Sequence, residues 1–169
     1  RLLGTPQDAA AQVAAAVAAE PQAVAGDERT VRVAFSSERP ILRDLPGFGT
    51  VWEVLGHGAG EADLTRLNTG SAPLLVDHRQ ELGSMLGIVA SAQAEAGVGR
   101  ALVRFADTPE GNTMLARVRS GEVRNVSVGY LPRESRQVGD HEGFPVVRVT
   151  RWEAVEVSLV AVPADPSVG

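Results

Sequence analysis

The chain has 169 residues, 44% hydrophobic, 22% charged and only 4% aromatic, with 18 Gly, 10 Pro, no Cys and a formal net charge of −5. One globular domain of this length buries roughly 70% of the surface its unfolded chain exposes, so a core needs neither disulfides nor a metal staple. All sixteen basic residues are Arg, which excludes lysine Schiff bases, Ser-Lys dyads and P-loop lysines, and the lack of Cys excludes thiol nucleophiles, thiolate zinc sites and redox pairs.

Residues 1–28 include the run Asp8 to Glu20, rich in Ala and stopped by Pro21. Its small side chains predict a marginal helical arm or linker, with the domain proper over 29–169. Starting at Arg1 rather than Met, the chain is expected to be part of a longer product or a processed form. From Thr30 the period becomes two: Val31, Val33 and Phe35 alternate with Arg32, Ala34 and Ser36, as in a half-buried strand. Pro40 and Pro46-Gly47 are expected to end that region, and 51–56 to form a short strand. A Gly-, Asp- and Ser-rich loop over 57–72 precedes the apolar run Pro73 to Val76, which delivers His78 at its end. Segments 83–92 and 100–106 predict a hairpin around the polar turn 95–99. The clearest helix has Asp107 or Thr108 as N-cap, Pro109 in the first turn, Met114, Leu115 and Val118 as its stripe, and Gly121 past its end. Strands follow at 123–130 and 146–152, joined by a charged connection over 133–143, with a last strand at 154–162 closed by Pro163. About seven strands and one internal helix, without regular strand–helix alternation, predict a mainly β or α+β fold with a curled antiparallel or mixed sheet.

In Asn125-Val126-Ser127-Val128-Gly129-Tyr130, the apolar side chains share one face and Ser127 shares the other with Gly129, which leaves room beside the hydroxyl. A strand serine is usually nothing more, and the pattern lacks the Gly-x-Ser-x-Gly of a hydrolase elbow. An imidazole base must come from His57, His78 or His141. His57 lies between glycines and reads as a loop residue. His141 sits in the charged connection, solvated, in reserve as a third catalytic member. His78 is either a strand-end histidine bonded to nearby backbone or a base. Glu156 enters an apolar segment, which costs free energy unless it is paired; it meets either an arginine such as Arg148 or Arg151, or His78. Glu153 is the neighbouring alternative. Three separated histidines and scattered aspartates give no metal-ligand spacing, and no cofactor is implied. The acidic balance argues against general attraction to nucleic acid or an anionic membrane, and no apolar run approaches the roughly 18 residues of a membrane span.

The stretches Arg29 to Glu38, Pro73 to His78, Thr108 to Gly121, Asn125 to Tyr130 and Trp152 to Asp165 together resemble the caudovirus prohead serine proteases. The resemblance covers about 29–166 through the order and spacing of its pieces. It implies a closed or partly open β-barrel of about seven strands with packed helices, like the herpesvirus assembly proteases. It also implies His78 as general base, Ser127 as nucleophile and Glu156 as third member, with Glu153 and His141 open at that third place. The implied activity is endopeptidase cleavage of scaffold, of the major capsid protein precursor and of the protease itself, inside the assembling prohead in the bacterial cytoplasm. A homo-oligomer, plausibly a dimer, is implied as well. Two other readings stand beside it: a barrel that docks on capsid or scaffold proteins without chemistry, and a different serine hydrolase such as an esterase.

Overall fold

The computed structural model describes residues 28–169; the Ala-rich arm expected at 1–28 lies outside them apart from Glu28. Nine strands form one mixed sheet: β1 Thr30–Ser37, β2 Ile41–Leu45, β3 Gly49–Leu55, β4 Ala62–Asp63, β5 Pro73–Val76, β6 Met85–Glu95, β7 Val98–Phe105, β8 Val126–His141 and β9 Phe144–Leu159. The ladder runs β1-β7-β6-β5-β9-β3-β2, with β4 and β8 also paired to β9. The two ends of that order, β1 and β2, do not pair with each other, so the ladder is open. β3, β4 and β5 run parallel to β9, while the β1–β7, β2–β3, β5–β6, β6–β7 and β8–β9 pairs are antiparallel. β9 is therefore the hub that brings β5 and β8 to its two sides.

The expected strand count of about seven is corrected to nine. Pro40 and Pro46 bracket a five-residue strand, β2, instead of ending the region. The charged connection at 133–143 is itself strand: β8 and β9 form one hairpin of two 16-residue arms, turned by Glu142 (φ 50) and Gly143 (φ 82). Paired positive φ values match the right-handed twist of a two-residue hairpin, and glycine makes the second one inexpensive. The outer half of β8 is mostly solvated, so polar residues occupy both its faces and leave no alternation to read. The separate strands expected at 146–152 and 154–162 are one element, β9.

The core lies where alternation predicts it. Val31, Val33 and Phe35 of β1 pack with Val89, Val103, Phe105, Val126, Val128, Trp152, Val157 and Leu159. Trp152 is fully buried, and its indole N–H donates to the Gly56 carbonyl at 2.7 Å, which satisfies the one polar atom of the ring. One α-helix, α1 (Pro109–Arg119), is present among the described residues. Thr108 caps it by accepting the Gly111 N–H at 3.1 Å, Leu115 and Val118 face the core, and Gly121 (φ 75) follows its end.

Candidate active site

Strict alternation along β9 would put Glu156 on the same face as Trp152 and Ala154, inside the core. The ladder prevents this: Gly129 pairs with Glu156 and Tyr130 with Ala154, so Val155 is left without a partner. This one-residue bulge reverses the parity of the strand. Beyond it Val157 and Leu159 face the core, while Glu156 and Ser158 face the opposite side.

β5 reaches the same place from the other flank of β9, with Leu75 opposite Ser158 and Val76 opposite Leu159. The chain then turns through Asp77 (φ 48) and His78 (φ 59), two consecutive left-handed residues that are not glycine. Such conformations are held only by their surroundings. Here the Asp77 N–H donates to the Leu159 carbonyl (2.9 Å), and the Asp77 carboxylate accepts the Ala161 N–H (3.1 Å). The His78 N–H donates to Ser158 Oγ at 3.1 Å.

The turn aims the imidazole between β8 and β9. His78 Nδ1 donates to Glu156 Oε1 at 2.6 Å, and its Nε2 lies 3.0 Å from Ser127 Oγ. The carboxylate can only accept, so the Nδ1 proton is fixed and Nε2 presents its lone pair to the hydroxyl. Glu156 is 2% exposed, and its other oxygen, Oε2, accepts the Ser158 hydroxyl at 2.7 Å. The hydrogen bond to Glu156 raises His78 above the ordinary imidazole value, against the opposing effect of partial burial, with the charges of Glu156 and Asp77 adding to the rise. The outer edge of the imidazole and the half-buried Ser127 remain open to solvent. A cavity of about 190 Å³ opens beside Glu156 between Leu75, Leu82, Met85 and Val155. A smaller one, about 50 Å³, adjoins Ser127 between Val126, Val128, Tyr130 and Asp165. The arrangement can move a proton from a hydroxyl to an imidazole and stabilise the resulting cation.

The other sequence candidates lie elsewhere. Glu153 pairs with Arg133 at 2.5 Å on the solvated part of the hairpin. His141 ends β8, edge-on to Trp52 with ring centres 5.5 Å apart, and its Nε2 is 3.8 Å from Glu142. His57, read as a loop residue, is buried: its Nε2 accepts the Ser36 hydroxyl at 2.8 Å and its Nδ1 donates to the Leu55 carbonyl at 3.0 Å. Arg148, considered as a partner of Glu156, bonds Glu38 and Glu61 instead, and Arg151 bonds Glu134. Ser158, which bonds both the His78 amide and Glu156, is not among the sequence candidates, because a small residue in an apolar strand carries no signal of its own. Among the described residues, no group of three or more His, Cys, Asp or Glu could hold a metal ion, and no helix is long and apolar enough to cross a membrane.

Comparison with known proteins gives two findings. Residues 44–168 match the family described as caudovirus prohead serine protease. A protein named major capsid protein, from Halomonas phage phiHAP-1, is 41% identical over 139 residues, which is 79% of this chain but 22% of that relative's length. No solved structure matches.

Proposed function

The chain belongs to the caudovirus prohead serine protease family, and from that premise we propose that it is a serine endopeptidase with Ser127 as nucleophile, His78 as general base and Glu156 as orienting acid. The observation that carries this reading is the unbroken series Ser127 Oγ, His78 Nε2, His78 Nδ1, Glu156 Oε1, with steps of 3.0 and 2.6 Å at its two ends. Ser127 Oγ attacks a peptide carbonyl while its proton passes to Nε2. The imidazolium, held by the Glu156 carboxylate, returns that proton to the leaving amine nitrogen as the C–N bond breaks. Water then repeats the sequence on the acyl-enzyme, with His78 again taking and returning the proton. The small cavity at Ser127 and the larger one beside Glu156 provide room for substrate side chains.

The substrates we assign are the major capsid protein precursor, the scaffold and the protease's own polypeptide, cut inside the assembling prohead. A relative named major capsid protein, of which this chain spans about a fifth, supports a capsid-protein substrate. It fits an arrangement in which a protease segment and a capsid segment share one polypeptide and are separated by cleavage. A barrel kinship with the herpesvirus assembly proteases and a dimeric state belong to the same proposal and rest on the sequence resemblance.

The test is incubation of purified capsid precursor and scaffold with wild-type, Ser127→Ala and His78→Ala proteins. Cleavage by the wild type alone is the expected result. No cleavage by any of the three favours a docking module, and turnover of small esters without peptide cleavage favours an esterase.

A further inference from the structure

We propose that Ser158 is a positioning residue of this site, its buried hydroxyl fastening the backbone of His78 to the second oxygen of Glu156. The inference rests on the assignment of Ser127, His78 and Glu156 made above and extends it to a residue outside the series.

Ser158 is fully buried, and its Oγ accepts the His78 N–H at 3.1 Å while donating to Glu156 Oε2 at 2.7 Å. An amide can only donate and a carboxylate can only accept, so the polarity of the hydroxyl between them is fixed. Glu156 Oε1 meanwhile accepts the Nδ1–H of the same histidine. The bonds close a ring that runs from the His78 backbone to Ser158, to one oxygen of Glu156, through the carboxylate to the other, and back to the His78 side chain. Both ends of His78 are thus referenced to a single strand.

That matters because His78 occupies the second of two left-handed positions without the freedom of glycine. The contacts of Asp77 with Leu159 and Ala161 hold the first of them; the hydroxyl of Ser158 holds the amide of the second. The Val155 bulge turns Ser158, together with Glu156, away from the core, and the β5–β9 register puts it opposite Leu75, two residues before Asp77. Alanine at 158 removes the acceptor for the His78 amide and the donor to Oε2 together. The carboxylate is then free to rotate away from Nδ1, and the turn is free to relax.

The experiment is the rate at which an alkyl fluorophosphonate modifies Ser127, measured against pH. In that reaction Oγ bonds to phosphorus, the P–F bond breaks, fluoride leaves and the hydroxyl proton passes to His78 Nε2. The charged groups facing His78 are Glu156 from β9 and Asp77 beside it in the turn. Ser158→Ala is expected to slow labelling at the pH plateau on the order of 10- to 100-fold, the scale of a misplaced catalytic group. It also moves the acid limb to lower pH, because the carboxylate that raises the imidazole is less firmly held against it. Ser158→Thr, which keeps donor and acceptor, keeps the wild-type limb. In the wild type the His78 amide exchanges slowly with solvent deuterium, and in Ser158→Ala it exchanges faster.

A Ser158→Ala protein that labels at the wild-type rate, or that slows equally at every pH with its limb unmoved, overturns the positioning role. Rapid exchange of the His78 amide in the wild type does so without any variant. A wild-type protein that takes no label overturns the nucleophile assignment and this role with it, whereas labelling of Ser127 that is indifferent to Ser158 overturns this role alone.

Discussion

Gly129 stands directly across the ladder from Glu156, and a Cβ at position 129 would lie 2.2 Å from Glu156 Oε1, the oxygen that accepts the hydrogen bond of the His78 Nδ1–H. The glycine is thus the space in which the carboxylate sits. Gly129→Ala must push that carboxylate out of line with Nδ1. The expected outcome is a fall in peptide-cleavage rate of about 10²-fold or more, with a stability loss of only about 1–3 kcal/mol from the overpacked strand. Progress curves on a capsid-precursor peptide, paired with urea unfolding, separate the two effects.

The raised His78 sets the pH dependence. In the proposed mechanism His78 is the general base and works only when neutral, so the acid limb of kcat/KM is expected above the ordinary imidazole value of about 6.5. Glu156→Gln removes the group that raises it, so the limb shifts downward and the plateau rate falls on the order of 10³- to 10⁴-fold. A limb that stays in place in the Gln variant would mean that another group holds the imidazole. The same shift bears on stability: a native state that binds the His78 proton more tightly than the unfolded chain is favoured below about pH 6.5 and loses that contribution as pH rises through the raised value.

His57 titrates in the opposite sense. Burial lowers its proton affinity, against the bond to Leu55 and the charge of Glu38 that raise it. The unfolded chain therefore takes up a proton first as pH falls below about 6.5, and native stability drops in that window. His57→Phe keeps a ring near Trp152, whose centre lies 5.5 Å from that of His57, but leaves the Ser36 hydroxyl without its acceptor. The variant is expected to be less stable than wild type by about 1–3 kcal/mol at pH 7. The gap should narrow at pH 5, as read by chemical unfolding at the two pH values.

Arg148 bonds two carboxylates, Glu38 at 2.7 Å and Glu61 at 2.6 Å, and Glu38 in turn accepts the His57 N–H. Burial opposes the charge on Glu38, yet the Arg148 guanidinium and the His57 N–H together outweigh it and hold that carboxyl below its ordinary value; for Glu61 the Arg148 hydrogen bond is the leading cause of the same shift. Arg148→Met leaves the two acids facing each other. At partial exposure this is expected to cost about 2–3 kcal/mol at pH 7, less than for a fully buried pair. Because depressed carboxyls stabilise the fold above their unfolded values and lose that contribution as pH falls, the penalty shrinks in acid, which differential scanning calorimetry at pH 7 and pH 4 will register.

Much of the site was legible because it depends on short-range patterns. The alternation of Val126, Val128 and Tyr130 fixes the face of Ser127, and the apolar run from Pro73 fixes where His78 emerges. The helix announced itself through Thr108, Pro109 and Gly121. The resemblance names Glu156 as third member, but residue patterns alone do not tell which of Glu156 and Glu153 lies beside His78, because that turns on the bulge at Val155, where nothing in Ala154-Val155-Glu156 departs from an ordinary strand. The long β8–β9 hairpin was read as separate strands around a charged connection, since its solvated half carries arginines and glutamates on both faces. The place of Ser158 is not legible in the sequence because its partner, the His78 amide, is 80 residues distant.

The most direct test of the nucleophile assignment is residue-level mapping of a fluorophosphonate adduct by tandem mass spectrometry. The account predicts a single adduct on Ser127 in the wild type and in Glu153→Gln, and none in Ser127→Ala or His78→Ala. An adduct on any other serine, or one on Ser127 that forms equally fast without His78, would contradict it.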